Sequence, residues 1–414
     1  MPVAELLIGS IAAGGDGVAR TEPDGLVVFV PRTAPGDVVV ADITPHGSFA
    51  RGRVRELRVP SAQRVEPLCA HYVTDRCGGC QLQHLDYDAQ RSAKAKIIRD
   101  ALVRIGRRDV SAREPEVRPS APWRYRRKLT LALRRRAGAD DWIAGLHPYD
   151  APGRVFEMRE CPITDARVLI VWREILAAGQ HLPLAHELRG AVRLDGESAS
   201  FVVSGGSSWT DSATLFGAVP SLASLWWEPE RGQRRLLHQR RADEPPGVAF
   251  GQVNARVAED LQRHVLDRIL AHRPVTVIDA YAGVGEVAVA LAAQGVRVTA
   301  IEIDADAARW SAARLPTGSR SVLGRAEEEL PAALPADVVL LNPPRAGARA
   351  EVTSALTSAI AGVRCIVYVS CNPATLARDL SRLPGWRIES LVGFDMFPQT
   401  AHVETVCELV RVAA

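Results

Sequence analysis

The chain has 414 residues, which is long for one ordinary domain and predicts two or three. Its formal net charge of +3 is too small to indicate a polyanion partner by itself, and no apolar run approaches the roughly 20 residues that cross a bilayer. Neither end resembles a signal peptide, so we expect a cytoplasmic protein without membrane contact. Seven cysteines, an odd number, favour metal ligation or catalysis over a disulfide framework.

Residues 1–57 predict a small OB-like β-barrel, because short apolar runs alternate with glycine-rich turns. The runs lie at 6–8, 26–30 and 38–41. Arg51, Arg53 and Arg55 then alternate along one predicted strand face. That stripe is either a nucleic-acid contact or the solvated face of an edge strand.

A ligand knuckle follows at Cys77-Gly-Gly-Cys80, where two glycines let the backbone fold tightly around a bound centre. Cys69 precedes the pair and is a third ligand in either kind of site. With His84 as the fourth ligand the site is a structural zinc site, whereas with the distant Cys161 it is an iron–sulfur cluster. Unligated thiols are the third interpretation and the one we favour least.

Residues 87–136 carry much of the basic excess. A helix is predicted over 87–106, with Asp86 as its N-cap and a solvated basic face. That face comprises Lys94, Lys96, Arg99 and Arg104. Residues 118–136 hold eight basic side chains and no acidic one, together with Trp123 and Tyr125. Because arginine and aromatic side chains grip phosphates and stack on unpaired bases, we favour RNA contact over a solvated basic strand.

Residues 163–245 predict a helix near 163–178 and strands near 190–203. They end in the turn signal Glu244-Pro-Pro-Gly247, which we take as a domain boundary. The predicted division is therefore 1–57, 58–246 and 247–414.

From about residue 250 the pattern becomes α/β. Apolar strands alternate with helical segments, which predicts a parallel, doubly wound sheet with its ligand at the carboxyl ends of the strands. The predicted strands are 275–280, 296–303, 336–341, 365–370, 386–394 and 402–412.

A nucleotide-binding turn is predicted where Asp279 ends the first of these strands and Gly283 and Gly285 follow. Glu302 ends the second strand, where a carboxylate can accept both ribose hydroxyls. Ala288 stands where a third glycine of the NAD fingerprint would be. S-adenosylmethionine is therefore favoured over NAD, and a purely structural turn is the alternative.

Cys371 stands between an apolar strand and a helix that Asn372 caps and Pro373 begins. The N-terminus of a helix favours a thiolate over a thiol, so Cys371 is a candidate nucleophile. A small buried residue at the end of a strand is the alternative, because free cysteine is commonly buried.

Together these motifs resemble the RNA 5-methyluridine methyltransferases of the TrmA/RumA type with an N-terminal TRAM domain. The resemblance covers almost the whole chain. It rests on the barrel, the cysteine set, Phe250-Gly-Gln252-Val-Asn254, Asp279 to Gly285, Asn342-Pro-Pro-Arg345-Ala-Gly347, Ser370-Cys371-Asn372-Pro373 and His402-Val-Glu404. It implies a Rossmann-like class I methyltransferase domain at the C-terminus, a TRAM barrel and a central α+β domain with a 4Fe-4S cluster.

The resemblance also implies residue roles. Cys371 adds to carbon 6 of uracil, and Glu404 removes the carbon 5 proton. The residues that hold S-adenosylmethionine are Gln252, Tyr281, Gly283, Glu302 and Asn342. The cluster ligands are Cys69, Cys77, Cys80 and Cys161, with zinc less favoured. The implied substrate is ribosomal or transfer RNA with a flipped-out uridine, and we expect a monomer.

One position departs from the family pattern. Asn342 replaces the usual aspartate before Pro-Pro-Arg345, which removes a negative charge near the sulfonium. Asn-Pro-Pro also occurs in amino-group methyltransferases, although Arg345 stands where their aromatic residue should be. An RNA-binding iron–sulfur protein with a degenerate methyltransferase domain is the non-enzymatic alternative.

Overall fold

The computed structural model describes residues 2–22, 25–110, 115–136, 141–240, 252–358 and 362–412. Three β-sheets follow one another along the chain, and we name them the N-terminal, central and C-terminal sheets. Within these residues no helix is both long enough and apolar enough to cross a membrane.

The N-terminal sheet comprises β1 (Val3–Leu7), β2 (Ser10–Ile11), β3 (Gly17–Arg20), β4 (Val27–Val30), β5 (Val38–His46) and β6 (Phe49–Val59). Their order is β1-β5-β6-β4-β3-β2. Alternate residues of β4 and β5 point inward, and Val28, Val30 and Val39 are fully buried in the core. The predicted apolar runs therefore coincide with strands of this sheet.

Ion pairs occupy much of the arginine stripe on β6. Arg55 lies 2.6 Å from Asp42, and Arg51 lies 3.7 Å from Asp16. Asp42 belongs to β5 and Asp16 directly precedes β3, so carboxylates of the same domain neutralise the stripe. The contacts favour the solvated-strand interpretation over nucleic-acid contact.

The central sheet comprises β8 (Lys128–Arg135), β9 (Trp142–Leu146), β10 (Phe156–Glu157), β11 (Glu187–Asp195), β12 (Ser198–Ser204), β13 (Leu222–Glu228) and β14 (Arg235–Gln239). Their order is β10-β9-β8-β11-β12-β13-β14. The helices α3 (Ala166–Ala177) and α4 (Ser212–Ala218) pack on one face. There Leu131 and Phe201 meet Trp172 of α3 in the core.

The C-terminal sheet comprises β7 (Glu116–Arg118), β15 (Thr276–Ala280), β16 (Arg297–Glu302), β17 (Arg320–Leu323), β18 (Val338–Leu341), β19 (Cys365–Ser370), β20 (Trp386–Phe394) and β21 (Glu404–Arg411). Their order is β17-β16-β15-β18-β19-β21-β20-β7. Strands β15 to β19 are mutually parallel, and β21 runs antiparallel between β19 and β20. The sheet is therefore doubly wound, as predicted.

The other helices are α1 (Ala70–Val73), α2 (Tyr87–Arg104), α5 (Ala255–Ala271), α6 (Glu286–Ala293), α7 (Ala305–Arg314), α8 (Ala326–Ala333), α9 (Ala350–Ser358) and α10 (Pro373–Ser381), with a 3-10 turn at Gly179–His181. Asp86 caps α2 as predicted, because its side chain accepts the Ala89 N–H at 2.8 Å. Helix α2 packs against α10 and β7 of the C-terminal sheet.

The prediction that Lys94 lies on the solvated basic face of α2 is wrong. Its side chain is fully buried, with Nζ 2.5 Å from Oδ1 of the equally buried Asp395. The carboxylate comes from a loop 301 residues further along the chain. The periodicity of the helix therefore gave no sign of the pair.

Candidate active site and cysteine pocket

The thiol of Cys371 follows directly on β19. Asn372 caps α10 by accepting the Ala374 N–H at 3.0 Å, and Pro373 is the first helical residue. Ser370 pairs with Thr405 across β19 and β21. Because the two strands are antiparallel, this register brings the residue before Thr405 beside the thiol.

That residue is Glu404, and Arg345 from the loop after β18 joins the pair. Burial and the Glu404 carboxylate raise the pKa of the Cys371 thiol, while the Arg345 guanidinium beside it acts in the opposite direction. The helix N-terminus favours the thiolate, whereas burial acts against it. Glu404 is 5% exposed, and burial raises its pKa to about 7 against the opposing charge of Arg345.

A buried network holds the 342–347 loop in place. The Asp379 carboxylate of α10 accepts the Tyr368 hydroxyl at 2.6 Å and the Ala348 N–H at 2.7 Å. Arg378 binds the same carboxylate and also donates to a loop carbonyl at 2.8 Å. The network therefore ties the loop to the helix that begins beside the thiol.

The glycine turn after β15 lies at the same edge of the sheet. Gly283 and Gly285 both have positive φ, and the Gly283 N–H donates to Glu302 at 2.7 Å. A β-carbon at Gly285 would collide with Ser311 of α7. Burial, and then the charge of Glu302, raise the pKa of Asp279 to about 7.

Open space, an unpartnered hydroxyl and two exposed apolar side chains lie at this edge of the sheet. A β-carbon at Gly283 would meet no heavy atom within 4 Å, so the turn borders open space. Tyr281 has a φ of +68°, and among the described residues its buried hydroxyl has no hydrogen-bond partner. Ile303 and Leu323 are exposed at 57% and 58% at the ends of adjacent strands. Neither was predicted as a binding residue from the sequence, because an apolar residue at a strand end resembles a core residue.

The other two predicted cofactor residues come from separate segments. Asn342 follows β18 and is exposed. Gln252 precedes the N-cap of α5, Asn254, whose side chain donates to the Met396 carbonyl at 3.4 Å beside the end of β20. Both therefore lie at the carboxyl edge of the sheet. Phe250 and Gly251 of the same motif lie outside the described residues.

The cysteine pocket is a cavity of about 110 Å³. It is lined by Cys69, Cys77, Cys80 and Cys161. Burial raises the pKa of Cys77 to about 11 and that of Cys80 to about 12. Cys161 reaches the cavity from the segment between β10 and α3, so the pocket joins distant parts of the chain.

The spacing of these sulfurs bears on the metal. Among the described residues, no three of the four cysteine sulfurs lie within 4.8 Å of one another. Thiolates on one tetrahedral zinc, with Zn–S near 2.3 Å, lie only about 3.8 Å apart. His84 contacts the Tyr72 hydroxyl at 2.7 Å and does not line the cavity.

A second group of possible ligands lies at the opposite edge of the C-terminal sheet. His272, Cys365 and Glu408 have ligand atoms within 4.8 Å of one another. His272 Nε2 is 2.6 Å from Glu408 Oε1, which is a hydrogen-bond distance. This contact engages only Oε1 of Glu408, whereas Oε2 has no hydrogen-bond partner among the described residues and lies 3.6 Å from Arg268 Nε.

Comparison with known proteins identifies the family. A family model described as tRNA (uracil-5-)-methyltransferase matches residues 332–412. An uncharacterized RNA methyltransferase of Thermosynechococcus vestitus is 31% identical, covering 98% of this chain and 97% of that protein. The 23S rRNA (uracil(1939)-C(5))-methyltransferase RlmD of Stenotrophomonas maltophilia is 32% identical, covering 95% of this chain and 94% of that protein. The chain belongs to the RNA uracil-C5 methyltransferase family.

A solved structure shares the fold of this RNA uracil-C5 methyltransferase family member. The Pyrococcus abyssi tRNA (uracil-54, C5)-methyltransferase in complex with S-adenosyl-L-homocysteine aligns with a TM-score of 0.72. The alignment covers 98% of this chain and 99% of that one at 24% identity. The α/β architecture and the family predicted from the sequence are confirmed.

In this family member the loop 395–402 links the cysteine pocket to β21. The N–H groups of Gln81 and Leu82, directly after the third pocket cysteine, donate to the Gln399 carbonyl at 3.1 and 3.0 Å. Gln399 exchanges two further hydrogen bonds with Gln90, at 2.9 and 3.0 Å. The same loop leads directly into β21, whose first residue is the buried glutamate beside the thiol.

Proposed function

We propose that the protein transfers the methyl group of S-adenosylmethionine to carbon 5 of a uridine in structured ribosomal or transfer RNA. The observation that carries this proposal is the convergence of a thiol, a carboxylate and a guanidinium at the carboxyl edge of the C-terminal sheet. The three groups belong to Cys371, Glu404 and Arg345. Membership of the RNA uracil-C5 methyltransferase family supports the same reaction.

Carbon 5 of uracil is too weak a nucleophile to accept a methyl group unaided. The Cys371 thiolate bonds to carbon 6, and the electron pair of the carbon–carbon double bond shifts to give an enolate. Arg345 stabilises the thiolate and the negative charge that develops. After methylation Glu404 accepts the carbon 5 proton, the carbon–sulfur bond breaks, and the double bond and the thiolate are restored.

The donor site follows from the groups beside the glycine turn. S-adenosylmethionine supplies the electrophilic methyl group when it is bound. Glu302 would accept the ribose hydroxyls, Ile303 would pack on the adenine, and the open space at Gly283 would admit the nucleoside. The remaining side chains of the donor site are Gln252, Tyr281 and Asn342. Asn342 would offer an amide near the sulfonium in place of a carboxylate.

We infer that the cysteine pocket holds a 4Fe-4S cluster. Each of Cys69, Cys77, Cys80 and Cys161 would ligate one iron. Cys161 lines the cavity and His84 does not, which supports a four-cysteine cluster over a zinc site with His84 as its fourth ligand. The bound cluster would cross-link the segments that supply the ligands. Visible absorption of anaerobically prepared protein tests the assignment, because a 4Fe-4S protein is brown and a zinc protein is colourless.

RNA that contains 5-fluorouridine tests the reaction. With S-adenosylmethionine present, we expect a stable covalent protein–RNA adduct, because fluorine at carbon 5 cannot leave as a proton. Cys371→Ala should form none, whereas Cys407→Ala, a buried cysteine of β21, serves as the matched control and should form the adduct. Absence of an adduct on RNA that the wild type demonstrably methylates would overturn the mechanism. RNA binding without any methylation would point to the non-catalytic alternative.

A further inference from the structure

The central sheet has a largely polar face opposite α3 and α4, which we call the open face. It consists of three side-chain rows that cross β8, β11, β12 and β13. In the first row Lys128 stands directly opposite Arg193, followed by Ser200 and Ser224. This row therefore places two positive charges side by side on the open face.

The third row adds more positive charge. Arg189 is exposed on β11 opposite Ala132, on the same face as Arg193. Arg234 lies 3.0 Å from Glu228, the one carboxylate in the three rows. Because Arg234 already pairs with Glu228, the face keeps a net positive charge.

The middle row consists of three small side chains and one aromatic ring. It runs Thr130, Ala191, Val202 and Trp226. Trp226 is half-buried, and its indole N–H donates to Ser224 Oγ at 3.2 Å. The small neighbours leave room for a flat group against the ring.

Positive charge connects this face with the candidate active site. Burial and then Arg193, Arg234, Arg126 and Arg189 lower the pKa of Lys128. Arg126 also acts on His402, as does the active-site Arg345. Arg126 also contacts the open face directly, because its Nε donates to the Lys128 carbonyl at 2.8 Å.

We propose that the open face binds a single-stranded flank of the substrate RNA, with phosphates on Lys128, Arg189 and Arg193 and a base stacked on Trp226. The inference rests on the proposed function, since it takes RNA as the substrate. Basic side chains that follow a phosphate backbone, combined with an aromatic stacking platform, recognise unpaired nucleotides. A polyanion complements the positive charges of this strand pair.

The test is fluorescence anisotropy of the full-length, cluster-containing protein with a labelled polyuridine RNA of about 30 nucleotides. Salt is varied from about 50 to 200 mM, where each phosphate contact to a single strand contributes about 0.7 to the slope of log affinity against log salt. Lys128→Gln/Arg189→Gln should lower that slope by about 1.4. Trp226→Ala should weaken binding about tenfold, and Trp226→Phe should restore most of the affinity.

The matched control is Arg297→Gln/Arg320→Gln, which removes two exposed charges from the amino ends of β16 and β17. It should leave the slope at the wild-type value. Thermal unfolding excludes misfolding, since Lys128→Gln removes a like-charge pair and should unfold at the same or a higher temperature. Wild-type slopes and affinities in the open-face variants would overturn the inference.

Methylation kinetics separate this inference from the proposed function. If the open face binds RNA, the double variant Lys128→Gln/Arg189→Gln raises KM for an RNA substrate that the enzyme methylates. It has much less effect on kcat. An unchanged KM in an active enzyme contradicts the open-face proposal alone. Absence of methyl transfer and of the 5-fluorouridine adduct in the wild type contradicts the proposed function instead.

Discussion

The cysteine pocket and the candidate active site both surround thiols whose pKa burial raises, yet their neighbours differ. In the pocket the charged groups that act on Cys80 are the other thiols themselves, Cys161 first among them. Cys371 instead has a carboxylate and a guanidinium beside it, Glu404 and Arg345. Burial therefore does not distinguish the proposed metal ligands from the proposed nucleophile, whereas the carboxylate beside Cys371 has no counterpart among the groups that act on Cys77 and Cys80.

The largest expected effect separates the two kinds of thiol. Cys371→Ala should lower kcat by at least about 10⁴-fold, because the nucleophile is lost, while iron content is retained. Cys161→Ser should primarily affect the pocket: we expect the variant to lose iron, visible absorption and thermal stability. Methylation assays, iron analysis and calorimetry on both variants make the comparison. Iron loss in Cys371→Ala would contradict the separation.

Glu404 is expected to give the next largest effect. Glu404→Gln should slow turnover by about 10²- to 10⁴-fold and let the adduct accumulate on ordinary uridine RNA, since the carbon 5 proton has no acceptor. A base must be unprotonated, so with the pKa of Glu404 raised to about 7 the wild-type rate should rise with pH through about 7. Glutamine should abolish that limb. The exposed Glu286→Gln is the control, and an unaltered pH profile in Glu404→Gln would exclude its role as the base.

The buried pair of Lys94 and Asp395 is expected to give the third largest effect. Lys94→Ala leaves Asp395 charged and unpaired in the core, which should cost about 3–5 kcal/mol of unfolding free energy. Lys96, on the same helix, makes an exposed pair with Asp100 at 3.6 Å, and its removal should cost less than about 1 kcal/mol. Denaturant unfolding measures both. Equal losses would show that the buried pair is not a specific support of the 395–402 loop.

The smallest expected effect concerns Asn342. Asn342→Asp restores a carboxylate near the sulfonium at an exposed position, where one ion pair contributes up to about 1 kcal/mol. We expect S-adenosylmethionine to bind up to about fivefold more tightly, measured by titration calorimetry, with Asn342→Ala as the control. Weaker binding by the aspartate variant would show that the amide makes a specific contact.

Local chemistry made much of the site predictable. A strand that ends at Cys371, followed by Asn372 and Pro373, defines a strand-to-helix junction from adjacent residues alone. The positions of the glycine turn and Glu302 were predictable as well, because parallel strands present their carboxyl ends at one edge of the sheet. The strand β13 and the exposed Ile303 were missed, since their apolar residues do not differ from those of ordinary core segments. The strand β14 was missed because its residues are exposed or partly exposed and show no buried alternation.

The sequence by itself determined the family, the doubly wound sheet and the chemically active residue types. Only the tertiary structure decided which groups act together: the Lys94–Asp395 pair, the Gln90–Gln399 exchange and the Asp379 network. The first two join residues 301 and 309 positions apart. Periodicity reports the face that a side chain occupies on its own helix or strand, whereas pairing depends on which element packs against that face. The raised pKa of Cys371 has the same origin, because burial is a property of the assembled fold.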